Sequence, residues 1–378
     1  MSFVLSEDQQ MLRDTAEAFA RDELAVTRLR GLRDAGANGV DAESHEKLAE
    51  LGFFGVLIPE AHGGVDMGMV AMGQIMEMQG RTIAATSVLQ TAVLGASLIN
   101  MAGSEAQKSD WLPKIASGEL TVALALDEGS HHAPLNVATE GEKNGQGYTL
   151  NGAKRYVSGG QSANLFIVVA RTFGEAGQSH GLSLFLVPRD TDGLSIQILN
   201  TVDSHGAAHL SLEDVSVGEA HLLGAPDTAW ETLERVLDMG RIALAAEMLG
   251  TAQAAFEMTL DYLQTRKQFG QLIGSFQALQ HRAAKMFTDL EMTRSCVAGA
   301  LSAVDENRND IAELASLAKA RASETLHLVS NETVQMHGGI GMTDDHDSGL
   351  YLKRARVQEA LLGGGSYHRD RYAKLNGF

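Results

Sequence analysis

The chain has 378 residues, 44% of them hydrophobic, which is enough for a sizeable core divided among two or three packed units. Acidic side chains outnumber basic ones by 48 to 30 and give a formal charge of −18, so nucleic acid is not an expected partner, because a polyanion needs a strong basic patch. The lone Cys296 excludes an internal disulfide and a thiolate metal cluster.

The beginning of the chain is charged and has no apolar core of signal-peptide length. No stretch approaches the ~20 apolar residues that are needed to cross a bilayer. We therefore expect a cytoplasmic protein that does not insert into a membrane, and we expect no metal site.

Residues 1–117 are predicted to form a helical N-terminal domain. Ser6 and Gln9 have the spacing of a capping box, and the apolar residues that follow recur at helical spacing. Breaks are expected at Pro59 with the nearby Gly63-Gly64, and at Pro113.

Residues 118–225 are predicted to form a small antiparallel β-domain. From Val122 onward, apolar residues alternate with small or polar ones. Asn151-Gly152 is a strong hairpin signal, so a turn between two short strands is expected there. Apolar strands are expected at 165–170 and 182–188.

Residues 226–378 return to helical periodicity and are predicted to form a four-helix bundle. Long helices are expected at 230–266, around 276–293 and at 311–336. The third should stop at Gly338-Gly339, where glycine can adopt a left-handed conformation. The predicted fold class is thus α+β, with helical domains before and after a β-domain.

Several common functional motifs are absent. The chain contains no G-x-G-x-x-G after a strand, no P-loop, no H-E-x-x-H and no G-x-S-x-G. A Rossmann nucleotide site, a zinc protease and a serine hydrolase are therefore disfavoured.

Two motifs carry a functional signal: YLQTRKQFGQLIGSFQ at 262–277 and QMHGGIGMT at 335–343. With earlier landmarks at 6–13, 51–64 and 151–154, they resemble the signatures of the acyl-CoA dehydrogenase family in order and spacing. The resemblance extends along nearly the whole chain. It implies the three-domain fold of that family, FAD as cofactor, an acyl-CoA substrate and an electron-transferring flavoprotein as electron acceptor.

The resemblance also implies that the two motifs form the adenosine and pyrophosphate end of an FAD site shared with a neighbouring subunit. Arg266 offers a forked cation to pyrophosphate oxygens. Phe269, three residues later, is expected on the same helical face, where it can pack against adenine or ribose. Uncharged donors and bare glycine backbone complete the predicted cofactor-binding set of Arg266, Phe269, Phe276, Gln277, Gln335, Gly338 and Gly339.

The part that would hold the flavin ring departs from the family pattern. Family members carry a threonine and a glutamate after the first strand, then a turn of small residues. Here Asp127 replaces the threonine, Glu128 is kept, and the turn reads Ser130-His131-His132. An anionic Asp127 would oppose the negative charge that develops on a reduced flavin. Later positions, Tyr156 and Ser158, are acceptable variants, and the two histidines are read as ordinary loop residues.

The catalytic base is also missing from its expected places. Dehydrogenation needs a carboxylate that removes the α-proton, and the family supplies it from one of two positions, which correspond here to Leu362 and to Gly240. Neither residue can accept a proton. Glu247 lies two helical turns, ~10 Å, beyond Gly240, and Glu359 lies three residues before Leu362. The catalytic residue is left unassigned.

Three functions remain open. The first is a subunit of a heteromeric α2β2 acyl-CoA dehydrogenase of lipid or steroid catabolism, in which a related chain holds flavin and base. Heteromers of this kind occur in the family among enzymes that shorten steroid side chains. The second is a self-sufficient homotetramer with a displaced base such as Glu247. The third is a structural or CoA-binding relative without redox chemistry.

Overall fold

The protein is described from a computed structural model over residues 4–37, 39, 41–145 and 147–378. Residue contacts divide the chain into two units, a helical unit and a sheet unit. The helical unit comprises residues 4–31, Met69–Ala84 and Arg241–Phe378. The sheet unit comprises residues 32–68 and Ala85–Gly240.

The helices confirm the predicted helical segments at both ends of the chain. They are α1 Glu7–Glu23, α2 Val26–Asp34, α3 Ala42–Glu50, α4 Gly68–Arg81, α5 Ala96–Ala102, α6 Glu105–Ala116, α7 Trp230–Thr265, α8 Gln277–Asp305, α9 Ile311–His337, α10 Ser348–Ala360 and α11 Gly365–Leu375. The capping box is confirmed: the Gln9 N–H donates to Ser6 Oγ at 3.2 Å, and the Ser6 N–H donates to Gln9 Oε1 at 3.0 Å. Within the described residues, no helix is long and apolar enough to span a membrane.

The sequence predicts a break at Pro113, but this residue does not end a helix. It lies inside α6, which continues to Ala116. A proline close to a helix C-terminus removes one backbone hydrogen bond, and the buried neighbours Leu112 and Ile115 hold this last turn against the core of the sheet unit. The break falls instead at Gly118, whose φ is +75°.

The middle of the chain forms one eight-stranded sheet. Its strands are β1 Val122–Ala125, β2 Glu140–Asn144, β3 Gly147–Ser158, β4 Leu165–Arg171, β5 Leu182–Pro188, β6 Leu194–Leu199, β7 Ala207–Gly218 and β8 Leu222–Leu223. Their order is β6-β7-β3-β2-β4-β5-β8, and β1 also pairs with β4. Most pairs are antiparallel as predicted, but β1 and β2 both run parallel to β4. The central strands β4 and β5 are almost completely buried.

The predicted hairpin turn at Asn151-Gly152 is wrong, because these residues lie inside the long strand β3. The turn joins Asn144 to Gly147 instead. At the predicted position the register between β3 and β7 shifts, and Asn151 exchanges hydrogen bonds with Asp214 at 3.1 and 2.8 Å. Gly152 is required by this bulge, since a Cβ there would lie 2.5 Å from Thr139 Oγ1. The Asn-Gly pair therefore marks a bulge rather than a turn.

In the helical unit, α9 packs against α8, α10 and α11. Buried hydroxyl pairs tie α9 to its neighbours: Thr259 of α7 donates to Thr333 at 3.0 Å, and Thr293 of α8 lies 2.8 Å from Thr325. The three predicted long helices are confirmed, although α8 runs twelve residues beyond the predicted 293, to 305. Helices α10 and α11 complete the C-terminal part of the fold.

Candidate functional site

The first motif forms a small hairpin immediately after α7. Strands β9 Lys267–Gln268 and β10 Gln271–Leu272 pair in antiparallel fashion around Phe269 and Gly270. Both turn residues have positive φ, +53° and +79°, as a tight hairpin turn requires. The expectation that Phe269 shares a helical face with Arg266 is therefore wrong, because α7 ends at Thr265. Phe269 instead stands at the tip of the hairpin and is 91% exposed.

The side chains predicted to hold a nucleotide are exposed around this hairpin. The Arg266 guanidinium is exposed and makes no hydrogen bond or ion pair with any residue of the described ranges. Phe276 is half-buried and meets Phe269 edge to face, with ring centroids 6.1 Å apart. Gln277 begins α8 and is exposed. A cation, an aromatic pair and an amide around this hairpin can thus contact a bound ligand.

The second motif ends α9 and continues as a 3₁₀ turn over Gly338–Met342. Gly338 has φ +61° and ψ −135°, a conformation available to glycine rather than to residues with a side chain. A Cβ built on Gly338 or Gly339 would meet no atom within 4 Å, so both backbones face open space. Gln335, in the last turn of α9, is also exposed.

Stacked rings bring the two motifs together. The ring of Tyr262, one turn before Arg266, lies 4.5 Å from the ring of His337, the residue before Gly338. On the other side His337 stacks on His346 at 4.3 Å. Burial lowers the pKa of His337, although its hydrogen bond to the Thr333 carbonyl favours the charged form. The two motifs are therefore in contact with each other within the helical unit.

The two motifs have the features that the nucleotide half of FAD needs. A forked guanidinium matches pyrophosphate oxygens. The exposed Phe269 ring and the half-buried Phe276 ring can cover a base or a sugar. Glycine backbone without a nearby Cβ allows close approach of phosphate groups. The residues present at the two motifs are thus chemically suited to hold this part of the cofactor.

In the sheet unit, Glu128 holds the end of β1 in place. Its carboxylate accepts hydrogen bonds from the Ala138 and Thr139 N–H groups at 2.7 and 2.9 Å and from Lys154 Nζ at 2.7 Å. Lys154 is fully buried and also donates to the Leu126 carbonyl. Burial lowers the pKa of Lys154 to about 8, against the opposing effect of Glu128. Glu128 is thus a structural carboxylate, fully occupied by its neighbours.

Asp127 is occupied in the same way. Its carboxylate lies 2.9 Å from His132 Nδ1 and accepts the Ala133 N–H at 3.0 Å. Burial raises the pKa of Asp127, but the hydrogen bonds from His132 and Ala133 outweigh it, so the pKa lies below its usual value and the group is anionic. His132 is therefore the specific partner of Asp127, which sequence reasoning did not foresee. His131 is an exposed loop residue beside Ser130.

Tyr156 and Ser158 lie near the end of β3 in the same unit. Tyr156 has φ +51° and is 58% exposed, and its N–H donates to His209 Nδ1 at 3.1 Å. Ser158 Oγ accepts a hydrogen bond of 2.7 Å from Gln90 Nε2. Gln90 belongs to a π-helical segment, Val88–Gly95, that the sequence pattern did not predict. A hydrogen bond such as that between Gln90 and Ser158, which are 68 positions apart, leaves no local signal in the sequence.

Leu362, one of the two expected base positions, lies in a tight turn between α10 and α11 of the helical unit. Leu362 and Gly363 have φ of +56° and +102°. The buried Lys319 of α9 donates to three carbonyls of this region, those of Gln358, Glu359 and Gly363, at 3.0–3.2 Å. Burial lowers the pKa of Lys319 to about 7. The other position, Gly240, is part of α7.

The two carboxylates considered as substitute bases are both engaged. Glu247 is buried, and its Oε1 accepts from Arg354 Nη2 at 2.5 Å and from Gln358 Nε2 at 2.8 Å. Glu359 accepts from Arg356 at 2.6 Å and lies 3.1 Å from His327 Nδ1. Each carboxylate therefore already has a basic side chain as its partner.

Comparison with known proteins gives consistent matches. The acyl-CoA dehydrogenase N-terminal, middle and C-terminal domain families match residues 6–119, 126–215 and 229–375. A probable acyl-CoA dehydrogenase of Bacillus subtilis is 33% identical over 373 residues, which cover 95% of each chain.

Two solved structures are similar along nearly the whole chain. The steroid ACAD Tcur3481–Tcur3483 is 31% identical over 98% of both chains, with a TM-score of 0.87. The ChsE4–ChsE5 complex from Mycobacterium tuberculosis is 26% identical over 100% of both chains, with a TM-score of 0.90.

Proposed function

Because the chain belongs to the acyl-CoA dehydrogenase family of FAD-dependent oxidoreductases, we propose that it acts as one subunit of a heteromeric member of that family. In this assembly it supplies the adenosine and pyrophosphate half of an FAD site and no catalytic base. A related chain supplies the flavin pocket and the base. The reaction of the assembly is α,β-dehydrogenation of an acyl-CoA thioester.

The observation that carries the proposal is the absence of a carboxylate at either base position. Leu362 and Gly240 cannot take the α-proton of a substrate. Glu247 is a poor substitute, because its carboxylate is buried and its Oε1 already accepts hydrogen bonds from Arg354 and Gln358. Glu359 is similarly paired with Arg356. A second chain that provides the base removes the difficulty.

The end of β1 supports the same conclusion. Asp127 is anionic, and its hydrogen bond with His132 fixes the charge there. A carboxylate at this position would repel a reduced, negatively charged flavin. The Ala133 N–H, a donor that could otherwise face a ligand, is already bound to Asp127. The chain's own flavin pocket is therefore disabled in this proposal.

The nucleotide half, by contrast, is available. Bound FAD supplies the acceptor for the hydride that leaves the β-carbon of the substrate. Arg266 would hold the pyrophosphate, the Phe269 and Phe276 rings would flank the adenosine, and Gln277 and Gln335 would donate hydrogen bonds to it. Gly338 and Gly339 would let backbone approach the phosphates. These residues are exposed or half-buried, as expected for groups that face a neighbouring subunit.

We further propose an α2β2 assembly with a bulky CoA thioester as substrate, such as one with a steroid side chain, and an electron-transferring flavoprotein as acceptor. The similarity to the ChsE4–ChsE5 complex and to a steroid ACAD supports this choice. Domain boundaries at 1–117, 118–225 and 226–378 are part of the proposal, and the family matches lie close to them.

The test is to purify the chain alone and after co-expression with a related chain that has glutamate at either base position. Flavin absorbance and protein concentration give the FAD content of each preparation. We expect a colourless chain alone and about one FAD per pair of chains in the complex. In the complex, Arg266→Met should weaken FAD binding by about tenfold or more, because the pyrophosphate loses its cation. Arg21→Met, on exposed α1, is the matched control and should have no effect.

Other outcomes identify the alternatives. A lone chain that holds a full complement of FAD, bleached by an acyl-CoA, would show a self-sufficient homotetramer. Failure of every related chain to bind, with no flavin in any preparation, would point to a structural or CoA-binding relative. Either result would reject the half-site proposal.

A further inference from the structure

The glycine turn of the second motif is held from a distant part of the chain. Arg30 of α2 donates from Nη1 to the Asp344 carbonyl at 2.5 Å and from Nη2 to Asp347 Oδ1 at 2.6 Å. A longer contact of 3.3 Å joins Nη1 to Asp344 Oδ2. The Arg30 side chain is only 23% exposed. One guanidinium thus binds both ends of the segment 344–347, which leads from the turn into α10.

A second set of contacts holds the end of this segment against the glycine turn. Ser348 Oγ donates to the Gly341 carbonyl at 3.1 Å, and His346 Nδ1 lies 3.0 Å from Ser348 Oγ. His346 in turn stacks on His337, the last residue of α9. The turn over Gly338–Met342 is therefore anchored at Gly341, while the Gly338 and Gly339 backbone faces open space.

We infer that Arg30 is a positioning residue of the nucleotide half-site: it fixes the segment 344–347 and thereby the glycine backbone that meets the FAD pyrophosphate. This inference rests on the proposed half-site function. Two glycines in sequence give a flexible turn, whose ordering on binding costs free energy. A turn that is ordered beforehand binds more tightly, because this cost is met during folding.

Charge gives Arg30 a second effect in the same direction. The segment after the turn contains three carboxylates, at Asp344, Asp345 and Asp347. Pyrophosphate is anionic, so unneutralised carboxylates close to it weaken its binding. Arg30 pairs with two of the three. A forked guanidinium does this at fixed geometry, whereas a lysine ammonium is a single point charge and can satisfy fewer of the three oxygens.

The experiment uses the full-length chain in its complex with the related chain. FAD is removed, and the complex is titrated with FAD, and with ADP as a probe of the nucleotide half alone. Arg30→Met should weaken both ligands by about tenfold, and Arg30→Lys should give an intermediate loss. The shape of the bound-flavin absorption band should not change, because the turn contacts only the nucleotide. Arg21→Met is again the matched control.

The outcomes separate this inference from the proposed function. Unchanged FAD and ADP affinity in Arg30→Met, alongside a clear loss in Arg266→Met, would overturn the positioning role and leave the half-site intact. Unchanged affinity in both variants would overturn the half-site itself. If Arg30→Met does not fold, Arg30→Lys, which keeps the positive charge and loses the forked geometry, carries the test and should still weaken both ligands. Unchanged affinity in that variant would also reject the role of Arg30.

Discussion

Replacement of Glu247 by glutamine separates a structural role of this residue from a catalytic one. The Glu247 and Arg354 side chains are 6% and 8% exposed, and their charged atoms lie 2.5 Å apart. Loss of one partner from a buried ion pair costs about 3–5 kcal/mol. Glutamine keeps an oxygen for Gln358 Nε2, so we expect a loss near the lower limit, about 3 kcal/mol.

This loss is large enough to measure as a shift in the unfolding temperature. Unfolding entropy scales with chain length, so ~3 kcal/mol corresponds to a fall of about 4 °C for a chain of this size that unfolds in one step. The assay is calorimetry of the complex, paired with stopped-flow measurement of flavin reduction by an acyl-CoA. Glu43→Gln is the matched control, because Glu43 pairs with Lys47 at the surface and should contribute less than ~1 kcal/mol.

Flavin reduction decides between the two roles. We expect Glu247→Gln to lower the unfolding temperature and to leave the rate of flavin reduction per bound FAD unchanged. The opposite pattern, an unchanged unfolding temperature with a loss of flavin reduction by a factor of 100 or more (~10²), would identify Glu247 as the base and refute the reasoning above.

Three further changes test other parts of the structure. Burial lowers the pKa of Lys319 to about 7 in the fold, from an ordinary lysine value of 10.5. Between these pH values the unfolded chain binds more protons, so the free energy of unfolding should rise with pH. Urea denaturation at pH 7 and pH 9.5 should show a smaller rise in Lys319→Met than in the unaltered chain. Gly250→Ala should cost ~1–3 kcal/mol in the same assay, because its Cβ would lie 1.9 Å from the Glu77 carbonyl oxygen, whereas Gly349→Ala, with no atom within 4 Å, should be neutral or slightly stabilising. Phe269→Ser should leave the unfolding temperature of the lone chain unchanged and weaken assembly with the related chain in analytical ultracentrifugation; full assembly would contradict the exposed ring as an interface residue.

The long helices and the apolar strands could be predicted from the sequence, because their periodicity is local and repeats several times. The bulge at 151–152 could not be predicted, since an Asn-Gly pair fits a turn and a bulge equally well until the partner strand is known. The helical placement of Phe269 failed for a related reason. A helix-like pattern continues past Thr265, but the Phe-Gly pair that follows forms a hairpin turn with positive φ at both residues.

Candidate site residues can be named from the sequence only where a contiguous motif carries them. Arg266, Gln335 and the two glycines were read from such motifs, and the Tyr262–His337 stack then brought the motifs together. The partners of Glu247 and Arg30 were not predictable. Arg354 lies 107 positions after Glu247, and Asp347 lies 317 positions after Arg30. No local pattern of charge or spacing distinguishes such pairs from solvated surface residues.

The turn at Leu362 holds a residue with a side chain in an unfavourable backbone conformation. A leucine with φ of +56° is unfavourable, by roughly 1–2 kcal/mol for a residue with a side chain. The turn persists because its backbone is bound from both sides: Lys319 Nζ donates to the Gly363 carbonyl at 3.0 Å, and the buried, neutral His368 donates from Nε2 to the Leu362 carbonyl at 3.0 Å. These contacts also connect α9, α10 and α11, so they are needed for folding whether or not residue 362 reacts. Selection for a stable helical unit is therefore sufficient to preserve this turn, whatever side chain stands at residue 362.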